Sequence, residues 1–468
     1  MLNEKNKKDT TLKDKVLFGL NGIPDQLTYQ SFTFLVFTFY FAVVGLNIIH
    51  LWISYTIWGL WNAINDPLLG ALSDRTKQKG IKRKLYVTLT ILPLSLIMIF
   101  LFTPPLNNDL LAFIYFILII MLFETIYTTY QINVKSLFPE MFLSEKERAL
   151  TNLFVKIFTI IALIFAFIVP TVIISPMVPL PDSPPEEIAQ IPIMYVLNGI
   201  LIGIITFVAG FLFIKFGIKE KELIPEELEN QISFIESLKT TFKNRNFLKL
   251  VLANLFIWYV FGILPTIFPL YSIYVLGVEE NSLIIGISLI SAFLLAGFVM
   301  PLHRKLGHKI GMRNALIVTS FIWIVLLLPY LFLNEEVQLL VILVTATQGF
   351  AISGAIYYFD VLIGDIIDED ELRTGVRKSG SYYGVSAFIH RFSTILTITS
   401  IAIVFTGTGW SQYTPVTEDP ALIFFGLRIL LVLFPSLALL IAIILMKSYD
   451  LHGQKLEDIR KDLHHSRG

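Results

Sequence analysis

Residues 16–74 read VLFGLNGIPDQLTYQSFTFLVFTFYFAVVGLNIIHLWISYTIWGLWNAINDPLLGALSD, without a single Lys or Arg. The ten residues that follow, RTKQKGIKRK (75–84), contain six basic side chains. A membrane-spanning helix needs roughly 20 apolar residues, so an interval of this length accommodates two helices and a turn. We therefore predict a helical hairpin whose two ends lie on the same side of a membrane.

The same pattern recurs five more times along the chain. The further intervals almost free of basic residues are 85–134, 157–214, 250–303, 314–372 and 392–446, the last containing Arg428. Six hairpins predict twelve spans, at about 17–43, 47–72, 86–104, 111–137, 150–175, 194–215, 247–275, 283–303, 313–333, 338–366, 380–407 and 421–446. Most basic residues fall between hairpins, so the positive-inside rule places both termini in the cytoplasm.

The predicted fold class is an all-α membrane protein with twelve transmembrane helices in two pseudo-symmetric six-helix bundles. Residues 1–215 form the N-terminal bundle, residues 216–246 a cytoplasmic linker, and residues 247–468 the C-terminal bundle with a cytoplasmic tail. Apolar linker residues at helical spacing predict a short amphipathic helix at the membrane surface. These residues are Ile232, Ile235, Leu238 and Phe242.

Composition agrees with a protein that crosses the membrane several times. Hydrophobic residues make up 55% of the chain and charged residues 15%, whereas soluble proteins carry about 25% charged residues. Lys plus Arg equals Asp plus Glu at 36 each, so we expect no nucleic-acid partner. With no Cys, the chain has no disulfide, thiolate nucleophile or Cys-ligated metal. The polar, Lys-rich start predicts no signal peptide, and we expect a monomer in the cell membrane, surrounded by lipids.

Eight ionisable residues fall inside the predicted spans. They are Asp25, Asp66, Glu124, Asp360, Lys135, Lys156, Arg391 and Arg428. Each costs roughly 2.5 to 3.5 kcal/mol at the centre of a membrane helix, so we expect these side chains to face inward and to pair. For each one, the alternative is a buried ion pair that only fixes helix packing. Arg428 lies near the outer end of its helix, where snorkelling to the surface is the preferred interpretation.

Two groups of polar residues share a helix face. Glu124, Thr128, Gln131 and Lys135 follow the spacing i, i+4, i+7 and i+11, which predicts a polar stripe that lines a cavity. Asn62 and Asp66 are one turn apart on the second predicted helix. A lone carboxylate in a low-dielectric setting can carry and release a proton, so Asp66 is a candidate coupling residue. The alternative is a structural pair of Asp66 with Lys135 or with the basic loop.

Several blocks of sequence resemble one transporter family. They include Trp61–Gly70 (WNAINDPLLG), Tyr127–Glu140 (YTTYQINVKSLFPE) and Asp365–Tyr383 (DIIDEDELRTGVRKSGSYY). These blocks, in this order, resemble the glycoside-pentoside-hexuronide:cation symporters, the melibiose-permease-like branch of the major facilitator superfamily. The resemblance implies the major facilitator fold and alternating access to a central site, as in other secondary transporters with repeated halves.

The resemblance also implies a cation site. Asp66 matches the second of two family acids on helix two, Asn62 stands at the first, and Thr128 matches a family Thr on helix four. A sodium ion needs several oxygen ligands with compensating charge, whereas a proton needs one base. The missing carboxylate therefore favours H⁺ over Na⁺ as the coupling ion, and we expect no other cofactor and no resident metal.

For the substrate, the resemblance implies a sugar-like molecule but with an altered pocket. Asp25 matches the family's helix-one Asp, while Gln131 and Lys135 replace residues of the galactoside signature. Lys156 and Arg391 stand where the family has an Arg and a Lys. Three cations predict recognition of an anionic group, so an anionic glycoside or hexuronide is the first candidate. Two acids could neutralise these cations and complete the candidate substrate-binding set: Glu124 and Asp360.

Charged residues near the cytoplasmic mouth resemble the family's gating segment. They are Arg75, Arg148, Asp365, Asp368, Glu371 and Arg377. Ion pairs among them could close the inner mouth when the site opens outward. The alternative is a solvated charged loop.

Together these patterns predict a cation-coupled secondary symporter of a sugar derivative, and no enzyme. A lysolipid or other amphiphile transporter of the same fold is the first alternative, because a lipid-transporting branch resembles the same blocks. A membrane sensor or enzyme that kept the fold without transport is the second. The sequence contains no Walker, HExxH or GxSxG motif, which disfavours ATP-driven pumping and hydrolysis.

Overall fold

A computed structural model of the chain describes residues 10–78, 80–106, 108–142, 144–181, 183–219, 241–278, 283–375, 379–414 and 420–467. All regular secondary structure in these ranges is helical, which confirms the all-α prediction. Ten helical segments in the same ranges are long and apolar enough to cross a membrane.

The described residues of the first half of the chain fold into seven α-helices. They are α1 (Leu12–Gly19), α2 (Gly22–Thr38), α3 (Ile48–Gln78), α4 (Arg83–Phe100), α5 (Asp109–Met141), α6 (Glu145–Ile173) and α7 (Pro185–Leu212). Capping boxes at Thr11 and Ser144 satisfy the first free N–H groups of α1 and α6. Short π-helical turns at Phe39–Val43 and Phe213–Gly217 extend α2 and α7. Helix α7 begins at Pro185, before the predicted start at 194, because Pro favours the first helical turn.

Within the described ranges, the second half contains nine further α-helices. They are α8 (Arg245–Leu276), α9 (Leu283–Ile310), α10 (Met312–Leu327), α11 (Leu340–Thr374), α12 (Ser379–His390), α13 (Phe392–Gly407), α14 (Pro420–Leu431), α15 (Leu433–Lys447) and α16 (Gln454–Arg467). Short 3₁₀ turns lie at Leu328–Leu331 and Glu335–Val337. Two predicted spans are interrupted: 380–407 at Arg391, and 421–446 at Val432, whose φ and ψ are −120° and −59°. The first interruption places Arg391 at the junction of two helices.

Packing within each half is extensive. In the first half α2 packs on α6 and α7, and α4 packs on α5 and α7. In the second half α9 packs on α11, and α8 packs on α14 and α15. The two halves meet where α13 packs on α3, α9 on α6 and α8 on α2. The domain boundaries stay a prediction, and the predicted linker helix lies largely outside the described residues, since 220–240 are not described.

An aromatic cluster joins the two halves on the predicted outer side. The ring of Phe41 lies 5.0 Å from Phe405, 5.3 Å from Trp410 and 5.8 Å from Tyr413, centroid to centroid. The Tyr413 hydroxyl donates to the carbonyl oxygen of Pro179 at 2.5 Å. All four rings are buried, so this cluster seals the predicted outer end of the interface between the halves.

Two glycines of α7 allow its close approach to α4. A Cβ atom at Gly203 would lie 2.6 Å from the carbonyl oxygen of Ser95, and one at Gly199 would lie 2.4 Å from that of Met98. Small residues four positions apart are typical of closely packed membrane helices. The backbones of α4 and α7 are therefore in direct contact.

We expect Gly203→Ala to destabilise the protein by about 1–3 kcal/mol, because the added methyl group must displace the backbone of α4. The measurement is thermal unfolding of the purified protein in detergent. Gly297→Ala on α9 is the control, since no atom lies within 4 Å of a Cβ there. An equal change in melting temperature for both variants would contradict the close packing.

Candidate functional site

The centre of the site is an ion pair between the two halves. The Arg391 guanidinium donates to Asp66 Oδ2 through Nη2 at 2.7 Å and through Nε at 3.2 Å. Asp66 lies on α3, directly before Pro67, which removes one intrahelical hydrogen bond at that turn. The two side chains are largely buried, at 22% and 15% exposure. The ionic partner of Asp66 is thus Arg391, rather than the Lys135 considered from the sequence.

A second carboxyl group is linked to Asp66 by a threonine. The Thr128 hydroxyl lies 3.0 Å from Asp66 Oδ1 and 3.1 Å from Glu124 Oε1. Trp58 Nε1 donates to Glu124 Oε2 at 3.1 Å, and Glu124 is completely buried. A hydroxyl group has one proton and donates to one acceptor at a time, so it cannot satisfy two ionised carboxylates together. The two carboxyl groups can therefore accept one additional positive charge between them.

Asp25 has only neutral hydrogen-bond donors. Its Oδ1 accepts from the Tyr127 hydroxyl at 2.8 Å and from Gln131 Nε2 at 3.2 Å, and its Oδ2 accepts from Gln26 Nε2 at 2.9 Å. No ion pair involves Asp25 among the described residues. Neutral donors fix the carboxylate in place while its negative charge remains available to the cleft.

Three further charged residues lie on helices of both halves: Lys135 on α5, Lys156 on α6 and Asp360 on α11. All three residues are exposed. Lys135 interacts electrostatically with Asp25, Asp66, Arg391 and Lys156, and Asp360 interacts with Lys156. None of the three forms an ion pair within the described parts of the chain. Exposed charges from both halves thus lie close enough to interact with one another and with the central ion pair.

A central cavity adjoins the ion pair. It has a volume of about 770 Å³ including its open side, and residues from both halves line it. Tyr29 and Trp58 contribute from the first half, and Trp258, Thr266 and Thr394 from the second. Sequence reasoning did not select these residues. Trp58 could have been found from its spacing, because it lies one and two turns before Asn62 and Asp66 on α3.

Comparison with known proteins identifies the family. A family model described as MFS/sugar transport protein, where MFS denotes the major facilitator superfamily, matches residues 17–453. The chain belongs to the MFS/sugar transport protein family. This result confirms the resemblance seen in the sequence, and with it a multi-pass membrane transporter rather than an enzyme.

Individual relatives of this MFS protein span almost its whole length. The putative sulfoquinovose importer of Escherichia coli (strain K12) is 22% identical, over 97% of this chain and 93% of the relative. The sodium-dependent lysophosphatidylcholine symporter 1-A of Danio rerio is also 22% identical, over 98% of this chain and 90% of the relative. The solved structure of the nucleoside transporter NupG covers 93% of this chain and 100% of its own, with a TM-score of 0.65 and 13% identity. That structural likeness shows the MFS fold alone.

Asn62 and Arg428 differ in their relation to the MFS site. Asn62 is 2% exposed, lies one turn from Asp66, and its Oδ1 has no hydrogen-bond partner among the described residues. It therefore offers a free oxygen beside the carboxyl pair. Arg428 donates to the carbonyl oxygen of Leu333 at 3.0 Å. This contact is separate from the site and gives Arg428 a structural partner.

The predicted gating residues of this MFS protein are only partly described. Arg148 donates through Nε to the carbonyl oxygen of Phe142 at 2.7 Å, beyond the end of α5. Three acids lie in the last three turns of α11: Asp365, Asp368 and Glu371. The Arg75 side chain and Arg377 lie outside the described residues. Gating ion pairs stay a prediction.

The central ion pair generates a stability prediction. We expect Asp66→Asn and Arg391→Gln each to lower thermal stability in detergent, by about 3–5 kcal/mol, because each leaves one buried charge unpaired. The double variant should lose much less stability than the two single variants lose together, because it leaves neither charge unpaired. The control is the pair Lys249 and Asp450, replaced by Lys249→Gln and Asp450→Asn. Asp450 is 69% exposed, and exposed ion pairs contribute little to stability. Fully additive losses for Asp66 and Arg391 would show that they do not pair.

Proposed function

We propose that this protein is a proton-coupled symporter of a sugar-like molecule that works by alternating access. The observation that carries the proposal is the Asp66–Arg391 ion pair between the halves, beside a cavity lined by both of them. We further propose twelve spans, the ten apolar segments together with 12–43 and 48–78, both termini in the cytoplasm, and a monomer in the cell membrane.

The lining of the central cavity supports a sugar-like substrate. Aromatic rings of Tyr29, Trp58 and Trp258 offer flat apolar faces, and hydroxyl groups of Thr266 and Thr394 offer hydrogen bonds. Pockets of this type bind a ring through its apolar face and fix its orientation with a few polar contacts. Similarity to a putative sulfoquinovose importer supports a sugar bearing an anionic group.

Two lysines support recognition of that anionic group. Lys135 and Lys156 have no ion-pair partner among the described residues, whereas Arg391 is held by Asp66. Charge-assisted hydrogen bonds from such cations recognise carboxylate, sulfonate or phosphate groups. Arg391 could join them only after it leaves Asp66.

The shared threonine supports coupling to protons. Arg391 already donates two hydrogen bonds to Asp66 Oδ2, so we place the additional proton on Glu124, which could then donate to Thr128. Transfer of the Glu124 proton to Thr128 Oγ1, with transfer of the hydroxyl proton to Asp66 Oδ1, moves one proton between the carboxyl groups. Neutral Asp66 then releases Arg391 to the anionic substrate. Proton and substrate would thus be required together.

A sodium ion is the second candidate for coupling. Oxygens of Asp66, Glu124 and Thr128 converge, and Asn62 Oδ1 has no partner among the described residues. Sodium could replace the additional proton by binding these oxygens. Similarity to the sodium-dependent lysophosphatidylcholine symporter 1-A of Danio rerio supports this candidate, and it also makes a lysolipid the alternative substrate.

Uptake into proteoliposomes tests the proposal. We expect an imposed proton gradient to drive accumulation of sulfoquinovose or methyl glucuronide. Glu124→Gln should abolish both accumulation and exchange of these anionic probes, because the variant has no proton to pass to Asp66 and Arg391 therefore stays paired with Asp66. Glu186→Gln, an exposed acid in the first turn of α7, is the control.

Two outcomes would contradict the proposal. Accumulation that is driven by a sodium gradient and not by a proton gradient would show that sodium, rather than the proton, is the coupling ion. Uptake of lysophosphatidylcholine, with none of methyl glucoside, methyl glucuronide or sulfoquinovose under either gradient, would reject a sugar symporter.

Substitution of the cleft lysines tests the anionic group. We expect Lys135→Gln and Lys156→Gln each to weaken binding of methyl glucuronide by about tenfold, which is the effect of one lost charge-assisted hydrogen bond. Binding of methyl glucoside, measured by calorimetry, should change little. Lys215→Gln is the control, since that ammonium group lies over the ring of Phe216. Equal losses for both sugars would reject recognition of an anion.

A further inference from the structure

A second cavity lies at the predicted cytoplasmic end of the second half. It has a volume of about 690 Å³ including its open side. Its lining comes from the start of α8, the last turns of α11, the connection between α15 and α16, and α16 itself. Four of the lining residues are basic: Lys243, Arg245, Arg373 and Lys455. We refer to this space as the basic pocket.

The lining of the basic pocket differs from that of the central cavity. Aromatic rings such as those of Trp58 and Trp258 line the central cavity. By contrast, every described residue that lines the basic pocket is polar or charged. Pockets for uncharged small molecules are lined mainly by apolar side chains. The basic pocket is therefore suited to a charged group, and its ligand differs from the substrate of the central cavity.

The two acids of the basic pocket already have cationic partners. Glu369 Oε1 lies 3.4 Å from the Lys455 ammonium group. Asp450 Oδ2 lies 3.1 Å from the ammonium group of Lys249. Because each carboxylate is paired, neither compensates the remaining basic side chains of the pocket.

Two basic residues of the pocket have no acidic partner. Lys243 and Arg245 lie on either side of Asn244, the N-cap residue of α8, and both are exposed. Neither side chain forms an ion pair within the described parts of the chain. Arg373 is held by Asp370 at 2.8 Å. The pocket and its ion-pair partners thus contain five bases and three acids, which leaves two positive charges in excess.

The basic pocket lies where three apolar segments end. These segments are Arg245–Leu276, Leu340–Thr374 and Ala421–Lys447. The ring of Phe242, directly before Lys243, is 41% exposed. An exposed ring beside basic side chains at the end of a membrane span suits the boundary between lipid headgroups and acyl chains. The pocket is therefore within reach of the lipid headgroups.

We propose that the basic pocket binds the phosphate group of an anionic membrane lipid. Lys243 and Arg245 supply the uncompensated positive charge, and charge-assisted hydrogen bonds from such side chains recognise phosphate. Basic pockets between membrane helices on the cytoplasmic side bind acidic lipid headgroups in other proteins. A soluble phosphate offers the same chemistry, but the position of the pocket at the ends of three spans favours a ligand anchored in the bilayer. The proposal is independent of the transported substrate and of the coupling ion.

Native mass spectrometry of the purified full-length protein in detergent tests the basic pocket. The probe is phosphatidylglycerol, and phosphatidylcholine, which has no net charge, is the comparison. We expect the first phosphatidylglycerol molecule to bind about tenfold more tightly than phosphatidylcholine, because it brings a net negative charge to the two free cations. This comparison needs no variant.

Substitution of the two free cations tests their role. Lys243→Gln with Arg245→Gln should remove the preference for phosphatidylglycerol, whereas Lys243→Arg with Arg245→Lys should keep its affinity within about threefold. The matched control is Arg304→Gln with Lys305→Gln on α9. These two basic residues are also exposed and form no ion pair among the described residues, but they lie outside the basic pocket. The control variant should keep the preference.

Three outcomes would overturn the proposal. Equal binding of the two lipids to the unmodified protein would reject an anionic-lipid site. An equal loss of preference in the control variant would show attraction to general surface charge rather than to the pocket. Inorganic phosphate, added at constant ionic strength, should not displace phosphatidylglycerol. Displacement at a concentration similar to that of the lipid would assign the pocket to soluble phosphates and reject the lipid.

Discussion

The ion pair between Asp66 and Arg391 constrains the whole site, because neither charge can be left alone inside a membrane protein at low cost. The two residues belong to different halves, so the pair holds the halves together in the conformation seen here. Any step that separates them must provide another partner for each charge. A proton on Asp66 and an anionic group beside Arg391 would provide both at once. This requirement links the binding of an ion to the binding of a substrate without any direct contact between the two ligands.

The rest of the interface is asymmetric. On the predicted outer side, buried rings such as Phe41 and Trp410 fill the space between the halves. On the opposite side the cleft is lined by exposed charges, including Lys156 and Asp360. An apolar, closely packed end and a polar, open end are what one conformation of an alternating-access cycle requires. The central ion pair lies between these ends, where a change in charge can favour either one.

The sequence predicted the parts of this architecture that depend on local patterns. Long apolar intervals predicted the helices, and helical spacing put Glu124 and Thr128 on one face, where the structure joins them by a hydrogen bond. Spacing on one helix cannot identify a partner on another, so the pairing of Asp66 with Arg391, 325 positions away, was not predicted. The interruption of a span at Arg391 was also missed, because residues 388–394 contain no Pro or Gly that would indicate a break. The cavity residue Trp258 looked like any apolar core residue, because its role depends on the empty space beside it.

Coupled transport at this site requires charges from both halves to face one aqueous cleft, and thiol accessibility tests this arrangement most directly. The chain has no Cys, so single variants Lys135→Cys, Lys156→Cys and Asp360→Cys can be made without a background reaction. In inside-out membrane vesicles, all three should react rapidly with a membrane-impermeant methanethiosulfonate reagent, and a short bifunctional reagent should crosslink a Lys156→Cys/Asp360→Cys double variant. Unreactive thiols at these positions, with no crosslink, would mean that the charges are dispersed among separate packing contacts.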